Sequence, residues 1–245
     1  MIVSADIYWT AKAGNSSADY EDAFWPPESV ASRQRSCQRF AVADGATESS
    51  YSGLWARQLV RAYCKQGWSG NELAGRLPKL QQTWQQEVQQ KPLPWYAEEK
   101  VRAGAFSTLV GLTLQDHTGA RGQGTWRALA VGDSCLFQIR HQKLIARFPL
   151  SDADDFGNSP VLLASRPGPN QAALAALRTQ TGFWQEGDEF LLMTDALAAW
   201  FLRHADPRAA LPDKDEFSGW ITELRQNHTL RNDDVTLLRV VIEAS

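Results

Sequence analysis

The amino-acid sequence predicts an α+β fold of layered antiparallel sheets flanked by helices, and three observations carry that prediction. Strand-length apolar runs follow one another with turn clusters between them. The helical stretches come in pairs and do not alternate strictly with strands, as βαβ units would require. With 245 residues, 43% of them hydrophobic and 22% charged, the chain can bury a core and sits at the upper size for one domain. A single domain over residues 1–245 is therefore expected.

Each element has its own signal. The run "FAVADGATESS" takes an apolar strand, Phe40 to Ala43, into Asp44-Gly45 and a string of small polar residues. In "SGLWARQLVRAYC", Leu54, Trp55, Leu59, Val60 and Tyr63 fall at helical spacing, which predicts an amphipathic helix from Ser52 to about Lys65. A second helix is expected from Pro78, a residue tolerated in a first turn, to Gln90, before the Pro92–Pro94 turn. "FSTLVGLTLQ", "TWRALAVGDSCLFQIR" and "KLIARFP" read as antiparallel strands, and "DHTGARGQG" between the first two reads as a hairpin tip. The stretch Ser151–Pro169 is a long polar loop, of a size that is often functional inside a compact domain. "NQAALAALRTQT" then reads as a helix, "DEFLLMTDAL" as a strand running into an acid, and "AAWFLRH" as a helix. A polar helix near Glu216 to Gln226 precedes the final strand in "NDDVTLLRVVIEA".

Composition excludes several function classes. A net charge of -3 with scattered Lys and Arg supplies no basic field for nucleic acid. No run of eighteen apolar residues occurs, and "MIVSADIYWTAKAG" lacks the basic and apolar segments of a secretory leader, so a soluble, cytoplasmic protein away from membranes is expected. Cys37, Cys64 and Cys135 are odd in number and lack CxxC spacing, which argues for buried thiols over disulfides or zinc. The Asn15 and Asn227 glycosylation triplets have no compartment to act in. His117, His141, His204 and His228 show no ligand spacing. There is no GxSxG elbow and no GxxxxGK[ST] loop, and "GARGQG" lacks a following helix. Trp55, Trp84, Trp200 and Trp220 fall in helical stretches and read as core.

Acids recur with similar grammar instead: Glu21-Asp22 in "YEDAF", then Asp44 in "VADGATE", Asp195 in "LLMTDAL" and Asp233-Asp234 in "NDDVTLL", these last three at a boundary of an apolar strand, with Asp133 in "AVGDSCLF" as a fifth candidate. Taken singly, each has an ordinary reading as a turn or helix cap. Brought to one sheet edge, such carboxylates would repel one another unless a cation sat among them. Oxygen-only ligands select a hard ion, Mg or Mn.

In this order and in these strand contexts, the five motifs resemble the metal-dependent serine/threonine protein phosphatases of type 2C, over roughly Asp6 to Val241. The resemblance implies a four-layer α-β-β-α sandwich, two antiparallel sheets flanked by helices, with two Mg or Mn ions at one end. By the match, Asp44 would bridge both ions, Asp195 and Asp233 would hold one, and Glu21 with the Gly45 carbonyl would serve the other. Asp22 would hold metal-bound water, and Asp133 resembles a residue of a weaker third site in bacterial members. The implied reaction is direct attack of a metal-bridging water on phosphoserine or phosphothreonine. Two ions about 3.5–4 Å apart suit it by lowering a water's pKa and neutralising phosphoryl oxygens. Phosphorylated proteins, the substrates of a serine/threonine kinase, are the implied partners. The Ser151–Pro169 loop corresponds to the family's flap.

Departures from the pattern bear on activity. The family's phosphate-gripping Arg falls at Ser17, leaving Lys12, Arg33, Arg35 and Arg39 as possible substitutes. Ala46-Thr47-Glu48 follows Gly45 where a His or Met and glycines are usual, so no His general acid is present. Ala196 stands for Gly after Asp195, and Asp234 for Asn after Asp233. Two rival readings therefore accompany the protein phosphatase: a phosphatase-like binding module, and a hydrolase of small phosphorylated metabolites.

Overall fold

The protein is described by a computed structural model at residues 1–90, 101–116, 122–157, 159–204 and 211–244. The strands are β1 (Ile2–Thr10), β2 (Ala23–Trp25), β3 (Val30–Gln34), β4 (Cys37–Ala43), β5 (Phe106–Ser107), β6 (Leu109–Asp116), β7 (Gln123–Val131), β8 (Cys135–Arg140), β9 (Lys143–Phe148), β10 (Leu163–Ala164), β11 (Arg178–Gln185), β12 (Glu189–Met193) and β13 (Val235–Glu243). Among the described residues, the α-helices with both ends given are α1 (Ser52–Gln66), α2 (Gly70–Gln89), α3 (Asn170–Ala175), α4 (Asp195–Arg203) and α5 (Phe217–Gln226).

Two large antiparallel sheets form the centre. One runs β3-β1-β13-β12-β8-β9 and the other β11-β7-β6-β4-β2, while β10 and β5 make a small separate pair. Alternation along the strands lets each sheet bury both faces. Val3, Ala5, Ile7, Phe40, Val42, Leu112, Trp126, Phe190, Leu192 and Val240 fill the space between the sheets. The opposite residues of β4, β6 and β7, Ala41, Ala43, Leu109, Leu129 and Val131, pack under Trp55, Leu59, Tyr63, Leu73 and Trp84 of α1 and α2. On the other sheet, Phe137, Ile139, Leu191 and Met193 pack under Leu197, Trp200, Phe201, Phe217 and Ile221 of α4 and α5. The expected four-layer α-β-β-α sandwich is thus the observed one.

Four local expectations require correction. The second helix begins at Gly70, capped by Ser69 and Glu72 in a reciprocal pair, so Pro78 lies inside it and not in its first turn. The capping box places the start, and the helix absorbs the proline because burial of Leu73, Leu77, Trp84 and Val88 holds both halves. "NQAALAALRTQT" is helical only to Ala175; Arg178 to Gln185 instead pairs with β7 as an edge strand. "TWRALAVGDSCLFQIR" is two strands in different sheets, broken at Gly132–Ser134. Cys64 and Cys135 are buried, but Cys37 is only half-buried at the start of β4. The expected hairpin between β6 and β7 is present in their pairing, and residues 117–121 at its tip, with His117, lie outside the described residues. Among the described residues no helix is long and apolar enough to cross a membrane.

Candidate metal centre

Strand register brings the acids together. In one sheet Ala23 pairs with Ala43 and Leu109 with Val131; in the other Met193 pairs with Cys135 and Leu237, and Thr10 with Val235. Glu21-Asp22 therefore precede β2 beside the Asp44-Gly45 that ends β4. Asp133 sits in the crossover from β7 to β8, Asp195 opens α4 after β12, and Asp233-Asp234 lead into β13. All of the expected site residues stand at one end of the sandwich.

Each is fixed by backbone or by a short polar side chain. The Asp44 amide donates to Thr108 Oγ1 at 2.9 Å, and the Thr108 amide donates to the Asp44 carbonyl at 2.9 Å. Thr108 Oγ1 lies 2.6 Å from Ser134 Oγ, which ties the Asp44 turn to the Asp133 crossover. Glu21 accepts from the Ser52 hydroxyl at the start of α1. Asp22 Oδ2 accepts from Thr236 Oγ1 at 2.6 Å, and that threonine also bonds the Tyr20 hydroxyl. A Cβ at Gly45 would stand 2.6 Å from the Glu21 carbonyl oxygen and 2.9 Å from the Ser52 carbonyl carbon. Only glycine allows this approach of backbone to backbone.

The electrostatics are those of carboxylates crowded together. Burial, then the charges of Asp22, Asp195, Asp233 and Asp133, pushes Asp44 well above the ordinary carboxylate value. Burial and then Asp234 and Asp195 do the same to Asp22. Asp133 is pushed up to about 7 by burial and by Asp195. Asp195 is raised by burial against the opposing pull of Arg231. Two buried oxygens, Asp22 Oδ1 and Asp133 Oδ1, have no hydrogen-bond partner. Unpartnered oxygens and mutually raised carboxylates fit a site built for a hard cation. As the side chains stand, no three His, Cys, Asp or Glu among the described residues are grouped to hold an ion. Arg231 reaches into the cluster instead, its Nη2 bonding Asp195 Oδ2 and lying 2.7 Å from Asp233 Oδ2.

Three contributors escaped the sequence reading, and a fourth has a role that it did not give. Arg231, Thr108 and Thr236 are ordinary residue types with no local signature. Asp234, read as added charge beside the site, accepts from the Lys12 amide at 2.8 Å through Oδ1 and from the Glu21 amide at 2.7 Å through Oδ2. It anchors both ends of the β1–β2 connection, a role that needs two acceptor oxygens. An asparagine would offer only one.

Among the basic candidates for the phosphate, the structure separates one from three. Lys12 lies at the acid edge, its Nζ donating to Thr47 Oγ1 at 3.3 Å. Arg33 pairs with Val3 and Arg35 donates its amide to the Met1 carbonyl, at the far end of β1. Arg39 lies against Gly67 and the Cys64 carbonyl, at the C-terminal end of α1. A cavity of about 480 Å³ opens over the cluster, bounded by Asp44, Thr47, Phe106, Asp195, Arg231 and Asp233, with Gly157, Ser159, Pro160 and Leu162 of the long loop on its rim.

The family model described as "Protein phosphatase 2C" matches residues 16–238, most of the chain and every acid above. The chain belongs to the protein phosphatase 2C family. It is an enzyme of the phosphoprotein phosphatase class. Among solved structures, the Mycobacterium tuberculosis serine/threonine phosphatase PstP/Ppp is similar at 15% identity, with a TM-score of 0.60 and full coverage of both chains. The PstP catalytic domain in complex with two manganese ions matches at 16% identity and a TM-score of 0.53, over 99% of this chain and 100% of the other. RsbX in complex with magnesium matches at 16% identity and a TM-score of 0.51, over 98% and 94%. At such identities the likeness carries the fold alone. No curated protein matches the chain in sequence.

Proposed function

We propose that the protein is a Mg- or Mn-dependent phosphatase that hydrolyses phosphoserine or phosphothreonine in proteins at the acid edge of its sandwich. The observation that carries this reading is the convergence of Glu21, Asp22, Asp44, Asp133, Asp195 and Asp233 from both sheets beneath one cavity. Asp44, Asp195 and Asp233 would hold one ion and Asp44, Glu21 and the Gly45 carbonyl the other, with Asp133 serving a weaker third. When bound, the ions supply charge neutralisation for the phosphoryl group and a water of lowered pKa.

The remaining work falls to the chain's own groups. Asp22, gripped by Thr236 through Oδ2, keeps Oδ1 free to accept a hydrogen bond from the attacking water and so to orient it. Arg231, which lines the cavity, and Lys12, whose Nζ donates to Thr47 on its wall, would supply the positive charge that Ser17 does not and steady the phosphoryl oxygens. With no histidine at the cluster among the described residues, the leaving hydroxyl takes its proton from solvent.

Phosphate release from phosphoserine and phosphothreonine peptides, set beside small phosphorylated metabolites, tests the reading. Metal-dependent turnover of the peptides above that of the small phosphates is expected. Turnover confined to small phosphates would make the protein a metabolite phosphatase. Peptide binding without turnover would make it a binding module, with Ser17 as the place where catalysis was lost.

A further inference from the structure

A second, smaller cavity of about 230 Å³ adjoins the first and shares Gly157, Asp195 and Arg231 with it. Its floor is one stripe of α4: Asp195, Ala196, Ala199 and Arg203, with Phe156 and Gly157 of the long loop as the facing wall. The spacing of four between 195, 199 and 203 keeps these residues on one face of the helix. Between the acid at one end and the arginine at the other, the stripe carries only alanines, which leave the space open.

The two arginines of this cavity differ in state. Arg231 bonds Asp195 and Asp233 as the side chains stand and belongs to the site already described. Arg203 is exposed, and no hydrogen bond or ion pair engages its guanidinium among the described residues. An arginine in the last turn of a helix also favours the helix dipole, and that alone would be an ordinary explanation. It does not account for a cavity that runs from Arg203 to the acid edge.

We propose that this cavity is an anion subsite built on Arg203. Through it the enzyme selects phosphoproteins bearing a carboxylate or a second phosphate about three residues from the one being hydrolysed. This rests on the phosphatase reading above. The distance follows from geometry: Arg203 lies eight positions after Asp195 on the helix, about 12 Å along the axis. Three residues of extended peptide span about 10 Å, and the side chains close the rest. The planar guanidinium suits either anion, which it can grip through two parallel N–H bonds.

The test uses phosphoserine peptides with Glu, a second phosphoserine or Ala three residues to either side. Each is assayed with the wild-type protein, Arg203→Ala and Arg203→Glu. The wild type is expected to favour anionic flanks over Ala by about fivefold in kcat/KM, as befits a solvent-accessible but two-pronged pair. Arg203→Ala should bring that ratio to one and Arg203→Glu should reverse it, while all three proteins hydrolyse p-nitrophenyl phosphate alike. The Glu and phosphoserine arms tell which anion the subsite prefers. An equal rate on all flanks in the wild type, or a preference that survives Arg203→Ala, would overturn the subsite. Absence of any hydrolysis, p-nitrophenyl phosphate included, would instead remove the phosphatase reading. Fluorescence anisotropy of the same peptides would then decide the subsite by binding.

Discussion

At the scale of single residues, the site is an arrangement of short polar groups that hold acids still. Asp234 is the clearest case, because both of its oxygens take backbone amides, those of Lys12 and Glu21. Removing it by Asp234→Ala leaves two donors without a partner. The expected cost is on the order of 3 kcal/mol, read as a lowered denaturant midpoint, with Asp234→Asn falling between the two. An unchanged midpoint in Asp234→Ala would mean that the β1–β2 connection is held by something else. Asp44, Asp195 and Asp233 were legible in the sequence because each stands at a boundary of an apolar strand. The supports of the acids were not: Thr108 reaches Asp44 from 64 positions away and Thr236 reaches Asp22 from 214, and no local pattern marks such a pair.

At the scale of elements, the crossover at Gly132–Ser134 matters most, since it carries the chain from one sheet to the other and leaves Asp133 at the site. A continuous apolar run hides this break, for Val131 and Cys135 are both buried and only their partners, Leu109 and Met193, tell the two sheets apart. Gly132 has φ +92°, and a Cβ there would stand 2.7 Å from Thr108 Cγ2. Gly132→Ala is therefore expected to cost about 2–3 kcal/mol and to disturb the Thr108–Ser134 link as well. Thermal melting checks the first effect and metal affinity the second; a variant that melts and binds metal as the wild type does would refute both. The misplaced start of α2 and the short α3 have a related cause. The capping signal at Ser69–Glu72 outweighs a proline, and β7 recruits as a strand a segment whose alanines favour helix.

At the scale of the whole molecule, folding brings like charges together from five separate points of the chain, and this links stability to pH and metal. Asp22, Asp44, Asp133 and Asp195 are all raised above the ordinary carboxylate value of 3.8, Asp133 to about 7. The folded chain then holds protons that the unfolded chain has released. Stability of the metal-free protein should rise as pH falls through about 7, continuing toward the unfolded value near 3.8. A thermal midpoint in chelator that is higher at pH 6 than at pH 8, with the difference removed by saturating Mn, is the expected result. A midpoint in chelator that falls from pH 8 to pH 6 would contradict the crowding of these acids.

The most direct test of the central claim, that this acid edge is a metal-dependent phosphatase site, is hydrolysis of p-nitrophenyl phosphate with Mn, with Mg and with chelator. Wild type is compared with Asp44→Asn and Asp195→Asn. The account predicts turnover that requires the ion and falls by at least about a hundredfold in either variant, as loss of one electrostatic contributor typically does. Turnover that persists in chelator, or that survives both substitutions, would contradict it.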